Sequence, residues 1–139
     1  MTTRVALDGR SLTLGDCRAI AAGACRVTLA PAARRRMVRA QRQVERLAAE
    51  GTPVYGVTTG FGRLANVRIA PADVRELQRN LIRSHAAGVG APLPASEVRL
   101  ILALRASVLS AGHSGARPAV AEALLRLLAA DVLPVVPEQ

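Results

Sequence analysis

Nine consecutive residues, Val54-Tyr55-Gly56-Val57-Thr58-Thr59-Gly60-Phe61-Gly62, interrupt any regular structure this chain could build. Glycine loses more backbone freedom on ordering than any other residue, so the segment suits neither a helix nor a regular strand. The sequence holds one Tyr, one Phe and no Trp. Both aromatics therefore fall in this one segment, and any core must be aliphatic. Two readings follow. The segment is a shaped, mobile loop spanning about residues 52–65 whose Tyr55 hydroxyl is used chemically, or Tyr55 and Phe61 merely anchor a loop to the body.

With 139 residues, 50% of them apolar, the chain can bury a core and is not of disordered composition. Its apolar runs are too short to span a bilayer, and its first residues carry Arg4, Asp8 and Arg10 without a signal-type apolar region. These features predict a cytoplasmic protein. Cys17 and Cys25 lack metal-type spacing and read as idle or buried thiols, so no metal site is expected. The net charge is +9, and every basic side chain is arginine. Arg35, Arg39, Arg42 and Arg46 recur at helical spacing and form one stripe, with Met37, Val44 and Leu47 on other faces. A nucleic-acid binder would carry such a stripe, but stacking aromatics and any DNA- or RNA-binding motif are missing from the sequence. A solvated or inter-subunit helix face fits it better, and no nucleic-acid or membrane partner is expected.

In chain order, Val5-Ala6-Leu7 and Leu12-Thr13-Leu14 flank an Asp8-Gly9 turn and predict a short hairpin. Cys17–Ala22 reads as a short helix ending near Gly23, and Arg26–Leu29 as a brief strand. Pro31 opens a helix that runs to about Glu50, stopped by Gly51. Pro71 opens another, in which Val74, Leu77, Leu81, Ser84/His85 and Gly88 share one face; Gly88 and Gly90 should end it. Ser96 is a candidate N-cap for an apolar helix through Val98, Ile101, Leu104, Val108 and Leu109. Pro118 starts a last helix through Leu124, Leu125 and Leu128, and residues 131–137 are a proline-rich exit. The Ile101–Leu109 helix is apolar on nearly all sides and expects company all round it. The chain thus reads as mainly helical with a small β element near its N-terminus, and as an incomplete domain.

Three groups could carry chemistry: Tyr55, the Ser84-His85 pair, and Gly112-His113-Ser114-Gly115-Ala116-Arg117. A phenol accepts a proton only once it has lost its own, which nearby positive charge favours, and Arg63 and Arg68 lie close in sequence. The glycine loop matches neither a Walker pattern nor GxGxxG, so it is not a phosphate cradle. His85 alone could equally be a satisfied core residue.

The stretch VYGVTTGFGRLANVRI (54–69), followed by LQRNLIRSHAAGVGAPL (77–93), resembles the N-terminal part of histidine ammonia-lyase and its aromatic amino acid ammonia-lyase relatives. SAGHSGAR (110–117) and DVLPVVP (131–137) extend the resemblance over essentially the whole chain. It implies residues 1–139 to be the N-terminal part of a single lyase domain with the helical, L-aspartase-like fold. It further implies a cytoplasmic homotetramer that removes ammonia from an aromatic amino acid, giving trans-urocanate from L-histidine. The implied electrophile is 4-methylideneimidazol-5-one, formed from an internal Ala-Ser-Gly. By the same resemblance Tyr55 is the base that takes the substrate's β-proton, supported by Gly56, Thr58, Thr59, Gly60, Phe61 and Gly62. His85, with Ser84, contacts the substrate side chain. Histidine at that position favours histidine as substrate, although tyrosine-selective relatives and aminomutases share the scaffold.

Two departures qualify the match. His113 stands where the family usually has Tyr or Phe. Ala-Ser occurs only at Ala95-Ser96 and Ala106-Ser107, neither followed by Gly, so no cofactor is expected within this chain and the 139 residues alone should be inactive. A truncated, non-catalytic module that binds a full-length lyase is the alternative from another functional class.

Overall fold

A threonine three residues before an aspartate sets the N-terminal architecture. Thr13 N–H donates to Asp16 Oδ2 at 2.9 Å, while Asp16 N–H donates to Thr13 Oγ1 at 3.1 Å, a reciprocal capping box that starts helix α1 (Leu14–Ala21). The Thr13 hydroxyl, donating to Asp16 Oδ2 at 2.6 Å, and after it the Thr13 N–H lower the pKa of the Asp16 carboxyl from its ordinary value. The computed structural model describes residues 3–50, 55, 59–60, 62, 69–70 and 73–139. With residues 13–16 committed to the cap, no hairpin forms. Strand β1 (Thr3–Leu7) instead pairs with β2 (Cys25–Leu29) in parallel, from Thr3 opposite Cys25 to Leu7 opposite Leu29. Parallel neighbours need a crossover, and α1 is that crossover.

The first core cluster gathers Val5 and Leu7 of β1, Val27 of β2 and Ile20 of α1. They pack against Ala103 and Ala106 of α4 (Ala95–Ser110) and Leu125 of α5 (Pro118–Ala129). Each fully buried Leu or Ile stabilises the fold by about 1.5–3 kcal/mol, and the alanines let the helices approach closely. A second cluster joins Met37 of α2 (Pro31–Ala49) to Leu109 and Ala121.

Pro31 and Pro118 occupy first-turn positions, as expected. Arg35, Arg39, Arg42 and Arg46 of α2 are all exposed, whereas their neighbours are structural. Arg34 pairs with Glu122 at 2.9 Å. Arg36 donates through Nη2 to the carbonyls of Asp8 and Ser110, tying α2 to the loop after β1 and the end of α4. Its buried Nε has no hydrogen-bond partner among the described residues.

Helix α1 starts at Leu14 rather than the expected Cys17, and two later helix boundaries differ as well. Helix α3 (Val74–His85) ends at His85, with Ala86 as cap, rather than at Gly88 and Gly90; its expected start at Pro71 lies outside the described residues. Ser96 does not cap α4. The Pro94 carbonyl accepts from Glu97 and Val98 N–H, so Pro94, whose φ is fixed near the needed value, is the N-cap and Ser96 sits inside the first turn.

Helix α4 buries Val98, Leu102, Ala103, Ala106 and Leu109 but exposes Ile101, Leu104 and Val108. Helix α5 closes through Val132 N–H donating to the Leu127 carbonyl, with Asp131 in the left-handed region at φ 52°. Arg99 of α4 grips the Asp131 carboxylate with two bonds of 2.9 and 3.1 Å. The proline-rich exit is not a loose tail. It returns to pair antiparallel with residues 89–93, with Pro92 opposite Pro137.

Candidate functional site

The described part of the glycine-rich segment holds the phenol outward. Tyr55 is 64% exposed, and Gly62 N–H donates to its hydroxyl oxygen at 3.4 Å. Thr59 is buried, its hydroxyl donating to the Gly60 carbonyl at 3.2 Å, and Gly60 is buried beside it. Within the described part of the loop Thr59 and Gly60 are the buried residues and Tyr55 is the exposed one. Gly56, Thr58 and Phe61 lie outside the described residues, as do Arg63 and Arg68.

Ser84 and His85 form the last turn of α3, both exposed. His85 Nδ1 lies 2.9 Å from the Leu81 carbonyl, which can only accept, so Nδ1 carries the proton in this arrangement. Ser84 Oγ also donates to that carbonyl at 2.9 Å and stands 3.1 Å from Nδ1. The two side chains lock one another: the hydroxyl and the carbonyl together hold the ring, and Nε2 is left as the acceptor nitrogen of the neutral imidazole. An exposed acceptor held in a fixed tautomer can receive an N–H or O–H from a ligand. The expectation of an apolar face around His85 holds only in part, because Leu77 and Leu81 are half-buried while Ile82 is 70% exposed.

His113 lies in the link between α4 and α5 and is exposed. It borders a cleft of about 440 Å³ with Ser107, Val108 and Ser114, away from any described loop residue. A larger cleft of about 650 Å³ is lined by Ile20, Cys25, Arg99 and Asp131 and contains none of the expected site residues. Burial, with Asp16 adding to it, pushes the Cys25 thiol upward, away from reactivity. Among the described residues, no three His, Cys, Asp or Glu side chains gather to hold a metal ion. Nor is any described helix long and apolar enough to cross a membrane.

Sequence reasoning passed over one part of this region: the pairing of the segment just after His85 with residues 136–139. The available signal was short, an apolar Val135-Val136 pair between prolines.

Residues 12–139 match the family model for aromatic amino acid lyases. The chain is 52% identical over 136 residues to a histidine ammonia-lyase of Stigmatella aurantiaca, covering 98% of this chain and 27% of that protein. Among solved structures it is similar to a tyrosine aminomutase from Streptomyces globisporus, with TM-score 0.93 and 34% identity over 99% of this chain and 26% of that one. It is also similar to a histidine ammonia-lyase from Trypanosoma cruzi, with TM-score 0.88 and 39% identity over 99% and 26%. The chain thus spans about a quarter of the length of these relatives. On the family match and the shared fold, it belongs to the aromatic amino acid lyase family.

Proposed function

We propose that these residues are part of a histidine ammonia-lyase that eliminates ammonia from L-histidine to give trans-urocanate, without oxidation. The observation that carries this reading is His85 at the end of α3, its Nδ1 committed to the Leu81 carbonyl and its ring exposed. An Nε2 acceptor suits the N–H of a substrate imidazole. Tyr55 is the base: the residue is exposed on the loop and its hydroxyl would take the proton from the substrate's β-carbon. That proton is weakly acidic, so the base must be held close and away from water. Ser84 keeps the His85 ring in one orientation.

In a complete enzyme the family's prosthetic group, 4-methylideneimidazol-5-one, would supply an electrophile toward the substrate. The residues present do not fit its formation. Both Ala-Ser pairs, 95–96 and 106–107, are wound into α4 and are followed by Glu97 and Val108 rather than glycine. The 139 residues alone are therefore inactive, and the working enzyme is a cytoplasmic homotetramer containing further sequence. Neither nucleic acid nor a membrane is a partner.

A tyrosine-acting ammonia-lyase or aminomutase is the second reading, favoured by the structural likeness to a tyrosine aminomutase. The test is an assay of the complete polypeptide carrying these residues with histidine and with tyrosine, following urocanate, coumarate and β-tyrosine. Urocanate formation supports the first reading; turnover of tyrosine with none of histidine replaces it with the second. Urocanate from the 139-residue chain by itself would overturn the inactivity.

A further inference from the structure

We infer that the antiparallel ribbon between residues 89–93 and 136–139 is the brace that sets the position of His85, and that Gly88 is its contact point. The inference rests on the reading of His85 as the group that meets the substrate side chain.

None of the described side chains of α3 is buried, so packing of this helix does not by itself fix where its last turn stands. Beyond His85 the chain is held by backbone pairing. Val89 exchanges both of its hydrogen bonds with Gln139, Glu138 N–H donates to the Ala91 carbonyl at 3.0 Å, and Leu93 N–H donates to the Val136 carbonyl at 2.8 Å. Only three residues separate His85 from Val89, a reach of about 14 Å at full extension. The ribbon is tied to the core at its other end, because α4 begins at Ala95 and buries Val98 in its first turn.

Gly88 sits where this strap meets its partner. A Cβ there would stand 3.0 Å from Pro137 Cγ and 3.3 Å from the Gln139 carbonyl oxygen. Gly90 is required for a different reason: its φ is +101°, while a Cβ would find its nearest neighbour, Glu138 Cβ, at an ordinary 3.7 Å. One glycine permits a close approach and the other a backbone conformation. Both are positioning residues, acting through His85 and touching no substrate. Their requirement explains why helix α3 stops at His85 and leaves two glycines beyond its cap.

The experiment uses the complete lyase polypeptide with Gly88→Ala, Gly90→Ala, Pro137→Ala and the Gly88→Ala/Pro137→Ala pair. It reads kcat, KM and the ratio of kcat/KM for histidine over tyrosine, together with the thermal midpoint. Misplacing a binding group by about 1 Å can cost up to 100-fold. Gly88→Ala should raise KM for histidine about tenfold or more and lower the histidine-to-tyrosine ratio, with the thermal midpoint within a few degrees of wild type. Pro137→Ala should be near wild type alone and should recover most of the Gly88→Ala defect, because it removes the ring atom the new methyl meets. Gly90→Ala should shift KM the same way, without recovery by Pro137→Ala, and serves if Gly88→Ala does not fold. An active wild type whose KM and substrate ratio are unmoved by either glycine substitution overturns this inference alone. A wild type inactive on both amino acids overturns the functional reading and this inference with it.

Discussion

Replacing Gly115 with alanine should be among the most damaging single-methyl additions to this chain, and its cost can be worked from two separate terms. Gly115 lies in the link between α4 and α5 with φ at +68°. A non-glycine residue in the left-handed region costs about 1–2 kcal/mol. The added methyl would also stand 2.3 Å from Val44 Cγ2 and 3.2 Å from Val44 Cβ on α2. Carbon atoms at rest sit about 3.5–4.0 Å apart, so one side must move by more than about 1 Å. Val44 cannot simply rotate away, since a β-branched residue in a helix holds one χ1 well. Forcing a methyl into such a contact costs about 1–3 kcal/mol. The total is about 2–5 kcal/mol, against a stability of about 5–15 kcal/mol for a whole domain.

The two terms can be separated. Val44→Ala deletes the clashing Cγ2 but leaves the φ of residue 115 unchanged. In Gly115→Ala/Val44→Ala the 2.3 Å contact is gone and only the milder 3.2 Å approach to Cβ is left, so most of the steric term should fall away while the backbone term stays, giving a coupling of about 1–3 kcal/mol in a double-mutant cycle. The assay is urea and thermal unfolding of the 139-residue chain followed by circular dichroism. Gly115→Ala should lower the thermal midpoint by roughly 10 °C or more. A Gly115→Ala protein within about 0.5 kcal/mol of wild type would refute the strain argument. Zero coupling with Val44→Ala would refute the placement of α2 against this link.

Two further outcomes are expected. The paired guanidinium of Arg99 holds the Asp131 carboxyl below its ordinary 3.8, so the folded state binds that proton less readily than the unfolded chain. Its contribution is present above the unfolded value and is lost as pH falls through the lower folded value; Asp131→Asn should thus cost stability at neutral pH and nothing in strong acid, checked by unfolding at a series of pH values. Tyr55→Phe in the complete lyase should cut kcat by about 100-fold to 10,000-fold with KM little changed, checked by steady-state urocanate formation, whereas a Tyr55 that only supported its loop would show a stability loss instead.

Helices whose starts are marked by proline were legible in the sequence, because proline's fixed φ and missing N–H suit the first turn and little else. Pro31 and Pro118 open α2 and α5 as expected. The N-terminal element was misjudged where two local signals competed. Apolar alternation at Leu12-Thr13-Leu14 suggests a strand, but Thr13 and Asp16 are spaced to cap a helix, and satisfying orphan N–H groups decided it. Once α1 exists, parallel pairing of β1 and β2 follows from the short strand–helix–strand order.

The site divides along a similar line. Spacing alone could not choose between a core histidine and a ligand-contacting one at position 85, and the resemblance supplied the role. The Ser84–His85–Leu81 arrangement depends on side-chain rotamers at a helix end, which periodicity does not encode. Sequence alone makes Gly88 and Gly90 helix stops, because glycine after a helix usually is one. Their partners lie almost fifty residues away in sequence, so no local pattern could reveal them.

Helix α4 joins the two scales. Its apolar residues were expected to need cover on nearly every side. Among the described residues one face is covered, and Ile101, Leu104 and Val108 remain partly or largely exposed. Fully burying a leucine, isoleucine or valine is worth about 1.5–3 kcal/mol, and since these three are 41–61% exposed, each forgoes about half of that. The chain spans about a quarter of its relatives' length, and the same four-turn helix that buries alanines against β1 and β2 presents its remaining aliphatics outward. Among the described residues, then, the inward face of α4 is a packed aliphatic core, while its outward face carries the same side-chain chemistry against water.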